Sequence, residues 1–354
     1  MKSIRNSIVA FLLLAGCNMV NAHDFTATVD GQKLFFNIRS KTAKTVEVTY
    51  NGSICDKKTS EVDGDLEIPA KIKHDNVIYS VVAIGAKSFS GASKLKGVTI
   101  PSTVKSIGGF AFEGCSSLTK VVFPGGEVSF GEGVFFKCSS IKDITMGSDW
   151  KTVDLSRFRW SDSLETISIP AKIEKIHGMK TLKHLKSISV DVNNAKFSSQ
   201  DGLLYDKNGK TLYGCPRAFS GNLRVKDGTE AILKGALVDC TDITLLNFPS
   251  SVTSFSFRET SRMVKLETIV FRADTPVITG FAGKEGAFVL QVANADVEII
   301  VPNNAKKSYK SALVKEGGEF AESLNDDSTP FLVNANQLPQ ERNIIGVKNF
   351  SKYE

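Results

Sequence analysis

Apolar residues return along this chain every 23 positions, with polar residues between them. Ile84, Ile107 and Phe130 open three successive copies, and Phe89, Phe112 and Phe135 follow five positions later. Ala92, Cys115 and Cys138 come next, then Leu95, Leu118 and Ile141, then Val98, Val121 and Ile144. The copies run from Val81 to Pro101, from Val104 to Pro124 and from Val128 to Gly147. They share the template V-x-x-I-G-x-x-x-F-x-G-C-x-x-L-x-x-V-x-I-P. A register this strict predicts a solenoid, in which each coil buries its apolar rungs against the next and no single central core is needed. The Leu-x-x-Val-x-Ile portion is the expected strand, with Val98 and Ile100 pointing inward in alternation. The prolines after it (Pro101, Pro124, Pro170 and Pro249) end the strand because proline cannot donate to the ladder. Gly85, Gly108 and Gly131 are expected to relax the turn before the Phe, and a segment such as 109–113 to form one helical or 3₁₀ turn. The Phe fills the interior of each coil.

Outside these copies the pattern weakens. From Leu66 a degenerate coil begins, with Leu66, Ile68 and Pro69 and then a strand from Val77 to Val82. A fourth copy keeps only the strand (Leu164, Ile167, Ile169), and a fifth is two residues short (Leu185, Ile188, Val190). From Asp191 to about Thr229 the register is interrupted. Asp206-Lys207-Asn208-Gly209 stands there between two apolar runs and predicts a β-hairpin jutting from the solenoid. The register resumes at Ile232, Leu237, Cys240, Ile243, Leu246 and Phe248, and a last copy has Phe255, Leu266, Ile269 and Phe271. Before the repeats, Phe25–Val29, Leu34–Ile38 and Thr45–Tyr50 alternate around Asp30-Gly31 and predict a β-meander that covers the first coil. After them, Val297–Pro302 reads as a strand and Asn304–Val314 as a short amphipathic helix. The expected layout is a leader at 1–22, an N-terminal β cap at 23–63, a solenoid at 64–275 with a hairpin insertion near 191–229, a C-terminal β/α cap at 276–321 and a tail at 322–354. Whether that polar tail packs back or stays disordered is left open.

The run Ile107-Gly108-x-x-Ala111-Phe112-x-Gly114-Cys115-Ser116-x-Leu118-x-x-Val121 resembles the BspA-like leucine-rich repeat of surface proteins from Bacteroidetes and other host-associated microbes. The resemblance spans roughly Leu66 to Phe271. It extends to Asp201-Gly202-Leu203-Leu204-Tyr205 and to Val301-Pro302 followed by Tyr309-Lys310-Ser311-Ala312. It implies an α/β solenoid of right-handed leucine-rich repeats, and a secreted or surface-attached protein of a family with members implicated in adhesion. The degenerate fourth and fifth copies depart from it.

Composition adds a compartment and removes several chemistries. The 44 basic and 38 acidic residues give +6, or +4 once the basic leader residues Lys2 and Arg5 are set aside. That tilt is too slight to imply nucleic acid, and no basic run with interleaved aromatics is present. The apolar stretch from Ile8 to Ala15 is too short to span a bilayer and reads as an export signal. Two endings compete. Leu14-Ala15-Gly16-Cys17 resembles a lipobox that would lipidate Cys17, and Val20-Asn21-Ala22 resembles a peptidase site that would leave His23 first; the lipobox is weighed ahead. Three of the six cysteines (Cys115, Cys138 and Cys240) share a phase with Ala92, so they read as small buried apolar residues. A Cys115–Cys138 disulfide is within reach of stacked coils, although parallel side chains disfavour it. The four histidines, His177 and His184 among them, make no ligand spacing with a cysteine pair, so neither metal nor cofactor is expected.

The outward residues of the repeat strands are the candidate ligand face: Thr99, Lys120, Asp143, Thr145, Thr166, Ser168, Ser187, Ser189, Asn247 and Thr268. They form a hydroxyl-rich strip that suits a host or microbial surface protein or a glycan, and equally suits a merely solvated strand face. No nucleophile elbow, zinc helix or phosphate loop occurs. The glycines from 280 to 286 read as a loop. An enzyme reading rests only on Asp143 and Glu165, as a glycosidase-like carboxylate pair; a stacked ion pair between Glu165 and Lys142 explains the same residues. The expectation is therefore an exported binding protein. A structural envelope subunit is the alternative, and a carbohydrate-active enzyme is third.

Overall fold

The computed structural model describes residues 23–51, 61–253, 262–275, 297–313, 344–347 and 350–353. The leader with Cys17, Cys55, Phe255, the 280–286 glycines and tail residues 322–343 lie outside them. The chain divides into two compact units, Met1–Trp150 with Trp160–Ser163, and Lys151–Arg159 with Leu164–Glu354.

In the first unit each coil contributes to two parallel sheets. One sheet orders the strands Asp143–Thr145, Lys120–Val122, Leu95–Thr99 and Gly64–Glu67, and its register pairs Gly97 with Lys120 and Lys120 with Asp143. The other runs from Val77–Ile84 to Ser106–Ile107 and Ser129–Phe130. Its far edge is the antiparallel meander Phe25–Val29, Gln32–Ser40 and Thr45–Thr49, whose last strand turns parallel to Val77–Ile84. Between the sheets Phe89, Phe112 and Phe135 form one column, with centroids 5.1 and 5.4 Å apart and planes inclined by 11° and 13°. Phe130 is half-buried and lies edge-on to Phe123 and Trp150, so the opening rung of the third copy faces a local aromatic cluster.

The Phe-bearing segments are turns. Glu113 N donates to Phe110 O, while Phe112 N donates to Val134 O on the next coil at 2.9 Å. Backbone donors committed to the neighbouring coil cannot close an α-helical ladder. The only α-helix among the described residues is Lys306–Leu313, so the α part of the expected α/β solenoid reduces to that helix and short 3₁₀ turns. Gly108 and Gly131 have a different role from the one expected. A Cβ on Gly108 would fall on the backbone of Ala86, 2.7 Å from its Cα, and one on Gly131 on the backbone of Gly109. These glycines permit close approach between coils.

The second unit repeats the logic with more variation. Thr152–Asp154 pairs in parallel with Lys175–His177, and Thr166–Ile169 with Ser187–Val190. Phe158, 23 positions after Phe135, is 1% exposed within the 3₁₀ turn Leu155–Phe158. The fourth copy thus keeps its aromatic rung as well as its strand. Phe197–Gln200, Leu203–Asp206 and Thr211–Gly214 form an antiparallel meander that joins Ala231–Ile232 in parallel. The Asp206–Gly209 hairpin does not stand off the fold. Leu203, Tyr205 and Leu212 lie in the core with Leu237, Leu246 and Phe271, because the last hairpin strand supplies a coil edge. A five-stranded parallel sheet, Ser220–Arg224, Asp242–Phe248, Thr268–Phe271, Glu298–Pro302 and Ile344–Val347, completes the unit. Phe248, Phe271 and Tyr309 stack behind it, and the Tyr309 hydroxyl donates toward the carbonyls of Ala273 and Thr275.

Candidate functional site

Alternation along the strands sorts side chains between core and solvent. In the first unit Val98, Val121 and Ile144 point inward and are buried. Lys120, Asp143 and Thr145 point outward and are exposed, with Thr99 and Val122 half-buried among them. The register aligns Thr99 with Val122 and Val122 with Thr145, so four of the ten expected residues share one face of one sheet. Gly97 keeps this face shallow: the Asp65 carboxylate occupies the place a Cβ would take.

In the second unit Thr166, Ser168 and Ser189 are exposed and Ser187 is half-buried on a two-stranded sheet. Ser168 and Ser189 spend part of their capacity on each other, with hydroxyls 2.8 Å apart. Asn247 and Thr268 lie on a third sheet. Asn247 corrects the expectation, because its side chain is 2% exposed. Its Nδ2 donates to Tyr353 O at 2.7 Å, and its Oδ1 accepts from Arg272 Nε at 3.0 Å. The chain's own C-terminal segment has taken the position a ligand would need. Thr268 is half-buried.

The two carboxylates of the enzyme reading, Asp143 and Glu165, both face solvent. Glu165 Oε1 is bound to Lys186 Nζ at 2.8 Å, and both side chains are more than half exposed. Asp143 is exposed as well. Both carboxylates stand in solvent, and the one on Glu165 is held by its lysine partner. Asp154, in the same unit as Glu165, is a perturbed carboxylate. Burial opposes its ionisation, but bonds from Ser156 Oγ and N, with Arg157 and His177 beside it, hold it below the usual carboxylate range. That is the geometry of a 3₁₀-turn cap, since Asp154 precedes Leu155–Phe158.

Cys115, Cys138, Cys215 and Cys240 are free and buried. Cys115 and Cys138 donate to the carbonyls of Phe89 and Phe112 at 3.2 and 2.9 Å. The Cys138 thiol, then burial, push the Cys115 thiol far up; burial, then Cys240, do the same to Cys215. Such thiols are inert fillers. His177 and His184 are exposed. Among the described residues no group of three or more His, Cys, Asp and Glu is placed to hold a metal, and no helix is long and apolar enough to cross a membrane.

Two features carry no sign in the sequence pattern. An aromatic row runs along the turns of the first unit: Phe136 meets Phe110 edge-on at 6.2 Å and the 40% exposed Trp160 at 5.0 Å, and Lys137 Nζ sits over the Phe136 ring. Phe110 and Phe136 fill the x positions of the template, which carry no periodic signal. The second feature is the Asn247–Arg272–Phe350 cluster, whose partners are far apart in sequence.

Residues 70–189 match the family described as BspA type leucine rich repeat region, in six copies. No curated protein matches the chain. Among solved structures, a leucine-rich repeat protein from Bacteroides ovatus aligns at 22% identity over 79% of this chain and 71% of that one, with a TM-score of 0.47. A leucine rich cell surface protein from Faecalibacterium prausnitzii aligns at 18% identity over 81% and 92%, with a TM-score of 0.36. The pneumococcal vaccine antigen PcpA aligns at 15% identity over 86% and 100%, with a TM-score of 0.37. Residues 70–189 of this chain are thus a run of BspA-type leucine-rich repeats.

Proposed function

We propose that this chain is an exported binding protein of the cell envelope, which recognises a surface protein or a glycan through the outward face of its repeat strands. The observation that carries this reading is the face formed by Thr99, Lys120, Asp143 and Thr145. It is a flat, solvated array of hydroxyl, ammonium and carboxylate groups held on strands whose alternate residues are locked in the core. Rigid polar groups at strand spacing suit repeated hydrogen-bonding partners, such as a glycan or an extended polypeptide, and an open sheet leaves room for large ligands. Thr166, Ser168, Ser187 and Ser189 offer a second patch of the same character. Export by the leader, with lipidation of Cys17 as the anchor, puts these faces outside the cytoplasm in this reading.

Two measurements test it. Intact mass of the protein from its native membrane reads a diacylglyceryl group on Cys17, and a chain starting at His23 would remove the anchor. A glycan array and a surface-protein panel, run with wild type and with Lys120→Glu/Thr145→Lys, read the face. Loss of a wild-type hit in the variant supports the proposal, and an unchanged hit moves the ligand elsewhere.

A further inference from the structure

The repeat does not ask for the aromatic row of Phe110, Phe136 and Trp160. Counted in steps of 23, Phe110 shares its position with Lys87 and Gly133, Phe136 with Ser90 and Glu113, and Trp160 with Gly91, Gly114 and Lys137. Polar residues or glycine therefore serve the coil at all three positions. The column of Phe89, Phe112 and Phe135 is buried, whereas Phe110 and Phe136 are half-buried and Trp160 is 40% exposed. Core packing explains the column and leaves the row unexplained; adjoining exposed apolar side chains mark contact surfaces.

The row is also held in place. Phe110 has φ of +56°, a left-handed conformation that a bulky side chain rarely adopts. Gly133, on the next coil, lacks a side chain where the Phe110 ring lies: a Cβ there would fall 2.6 Å from it. Phe110 then meets Phe136 edge-on at 6.2 Å, and Phe136 meets Trp160 edge-on at 5.0 Å. Three successive copies thus give one ring each to a continuous line within the first unit. Polar groups of both signs adjoin it. Lys137 Nζ stands 5.2 Å from the Phe136 centroid. Glu132 is exposed and its carbonyl accepts from Phe110 N; Glu113 is half-buried and lies one coil back from Phe136, at the same position. With the exposed Lys87 at the position of Phe110, the charges along the row cancel.

We propose that this row is a stacking platform for the pyranose rings of an uncharged glycan. The aromatic faces are electrically negative and attract the C–H bonds on one side of a pyranose, as Phe136 already attracts the Lys137 ammonium. Sugar hydroxyls both donate and accept, which matches an ammonium that only donates and carboxylates that only accept. A net charge of zero along the row complements an uncharged ligand. An apolar side chain or an acyl chain would cover the rings and desolvate Lys137, Glu113 and Glu132 without replacing their bonds to water. The row lies on the turns, and the inference does not rest on the strand face of Thr99, Lys120, Asp143 and Thr145.

The test uses the full chain in native gels carrying a mixed-linkage β-glucan, an α-mannan, a β-galactan or a β-xylan, each read against a gel without glycan. Phe110→Lys, Phe136→Ser and Trp160→Lys introduce side chains that the same positions carry in other copies as Lys87, Ser90 and Lys137, so the coils are kept. The expected result is retardation of wild type by at least one of the four glycans. Each of the three variants weakens it about tenfold or more, and Lys120→Glu/Thr145→Lys, altered only on the strand face, leaves it unchanged. The chain has two tryptophans, Trp150 at 3% and Trp160 at 40% exposure, so acrylamide quenching reads Trp160, which the retarding glycan is expected to protect. Absence of retardation by all four glycans would overturn the proposal, as would retardation that survives Trp160→Lys or leaves Trp160 as quenchable as before. Retardation lost in Lys120→Glu/Thr145→Lys would assign the glycan to the strand face and overturn it too. So would flotation of wild type on phosphatidylcholine vesicles that Trp160→Lys abolishes, which would give the row to a lipid surface.

Discussion

Phe112 stacks on Phe89 with ring centroids 5.1 Å apart and planes inclined by 11°, one ring from each of two neighbouring coils. Phe135 stacks on its other side at 5.4 Å, so Phe112 is the middle of a column and has no solvent-facing edge. Truncation to Ala leaves a cavity that neither neighbour can fill without shifting its own coil. Phe112→Ala is expected to cost about 3–5 kcal/mol, and Phe112→Leu roughly half as much. Urea unfolding read by circular dichroism checks this; a Phe112→Ala midpoint equal to wild type would mean the column carries no stability.

Gly108 and Gly114 stand in the same repeat but are required for different reasons. Gly114 has φ of +70°, and the atom nearest to an added Cβ there is 3.9 Å away, so the demand is conformational alone. Gly114→Ala is expected to cost about 1 kcal/mol, the left-handed strain less the entropy removed from the unfolded chain. Gly108 has no such φ, but its Cβ would strike the Ala86 backbone. Backbone cannot swing aside as a side chain can, so Gly108→Ala is expected to cost about 1–3 kcal/mol through coil separation. The check is the order of the two midpoints, with Gly108→Ala the lower. Lys137 has the same left-handed conformation 23 positions after Gly114, at φ 58°, which shows that the strain is bearable at one copy.

The repeat is legible because each coil places the same side chain in the same environment, so buried rungs recur at one interval. Phe89, Phe112 and Phe135 read as one column for that reason, and the inward Val98, Val121 and Ile144 likewise. Two strands of the second sheet are not legible, since Ser106–Ile107 and Ser129–Phe130 have two residues each, too few to alternate. Phe158 lies at a count of 23 from Phe135, but Asp154 and Ser161 stand where the template has Gly and Cys and hide it. Of the candidate face, Lys120, Asp143 and Thr145 follow from alternation. The burial of Asn247 does not, because its cover comes from Tyr353, 106 positions away, and no local pattern reports a contact of that separation.

The buried thiols give a chemical readout of coil integrity. Cys115, Cys138, Cys215 and Cys240 sit buried in pairs on neighbouring coils, and the thiols of Cys115 and Cys215 are pushed up, so neither of those two forms a reactive thiolate at neutral pH. A chain starting at His23 with Cys55→Ser is expected to show no thiol reactive toward an aromatic disulfide reagent at pH 8 until denaturant is added, and four afterwards. Intact mass before reduction should match four free thiols. A mass lower by the hydrogens of one bridge, or fast labelling of the native chain, would contradict the buried, unbridged arrangement.

Tyr205 gives the alkaline limb of stability. It is 1% exposed, and burial pushes its phenol up to about 12, while the hydroxyl accepts a bond from Lys226 N at 3.1 Å. The unfolded chain titrates near the reference value of about 10. Below that pH the phenol is neutral in both states, so its contribution is fully present. Between about 10 and about 12 the unfolded chain loses the proton and the folded chain keeps it, so stability falls by about 1.4 kcal/mol per pH unit from this group. Tyr309, also raised by burial, adds to the slope in the same direction. Tyr205→Phe removes the titrating proton and leaves the Lys226 N–H without its acceptor, which costs about 1 kcal/mol near neutrality. The variant is therefore expected to be the less stable at pH 8 and to converge on wild type by pH 11. Urea midpoints across that range decide the matter: parallel curves for the two proteins would show that Tyr205 ionises equally in both states and that its burial does not govern its proton.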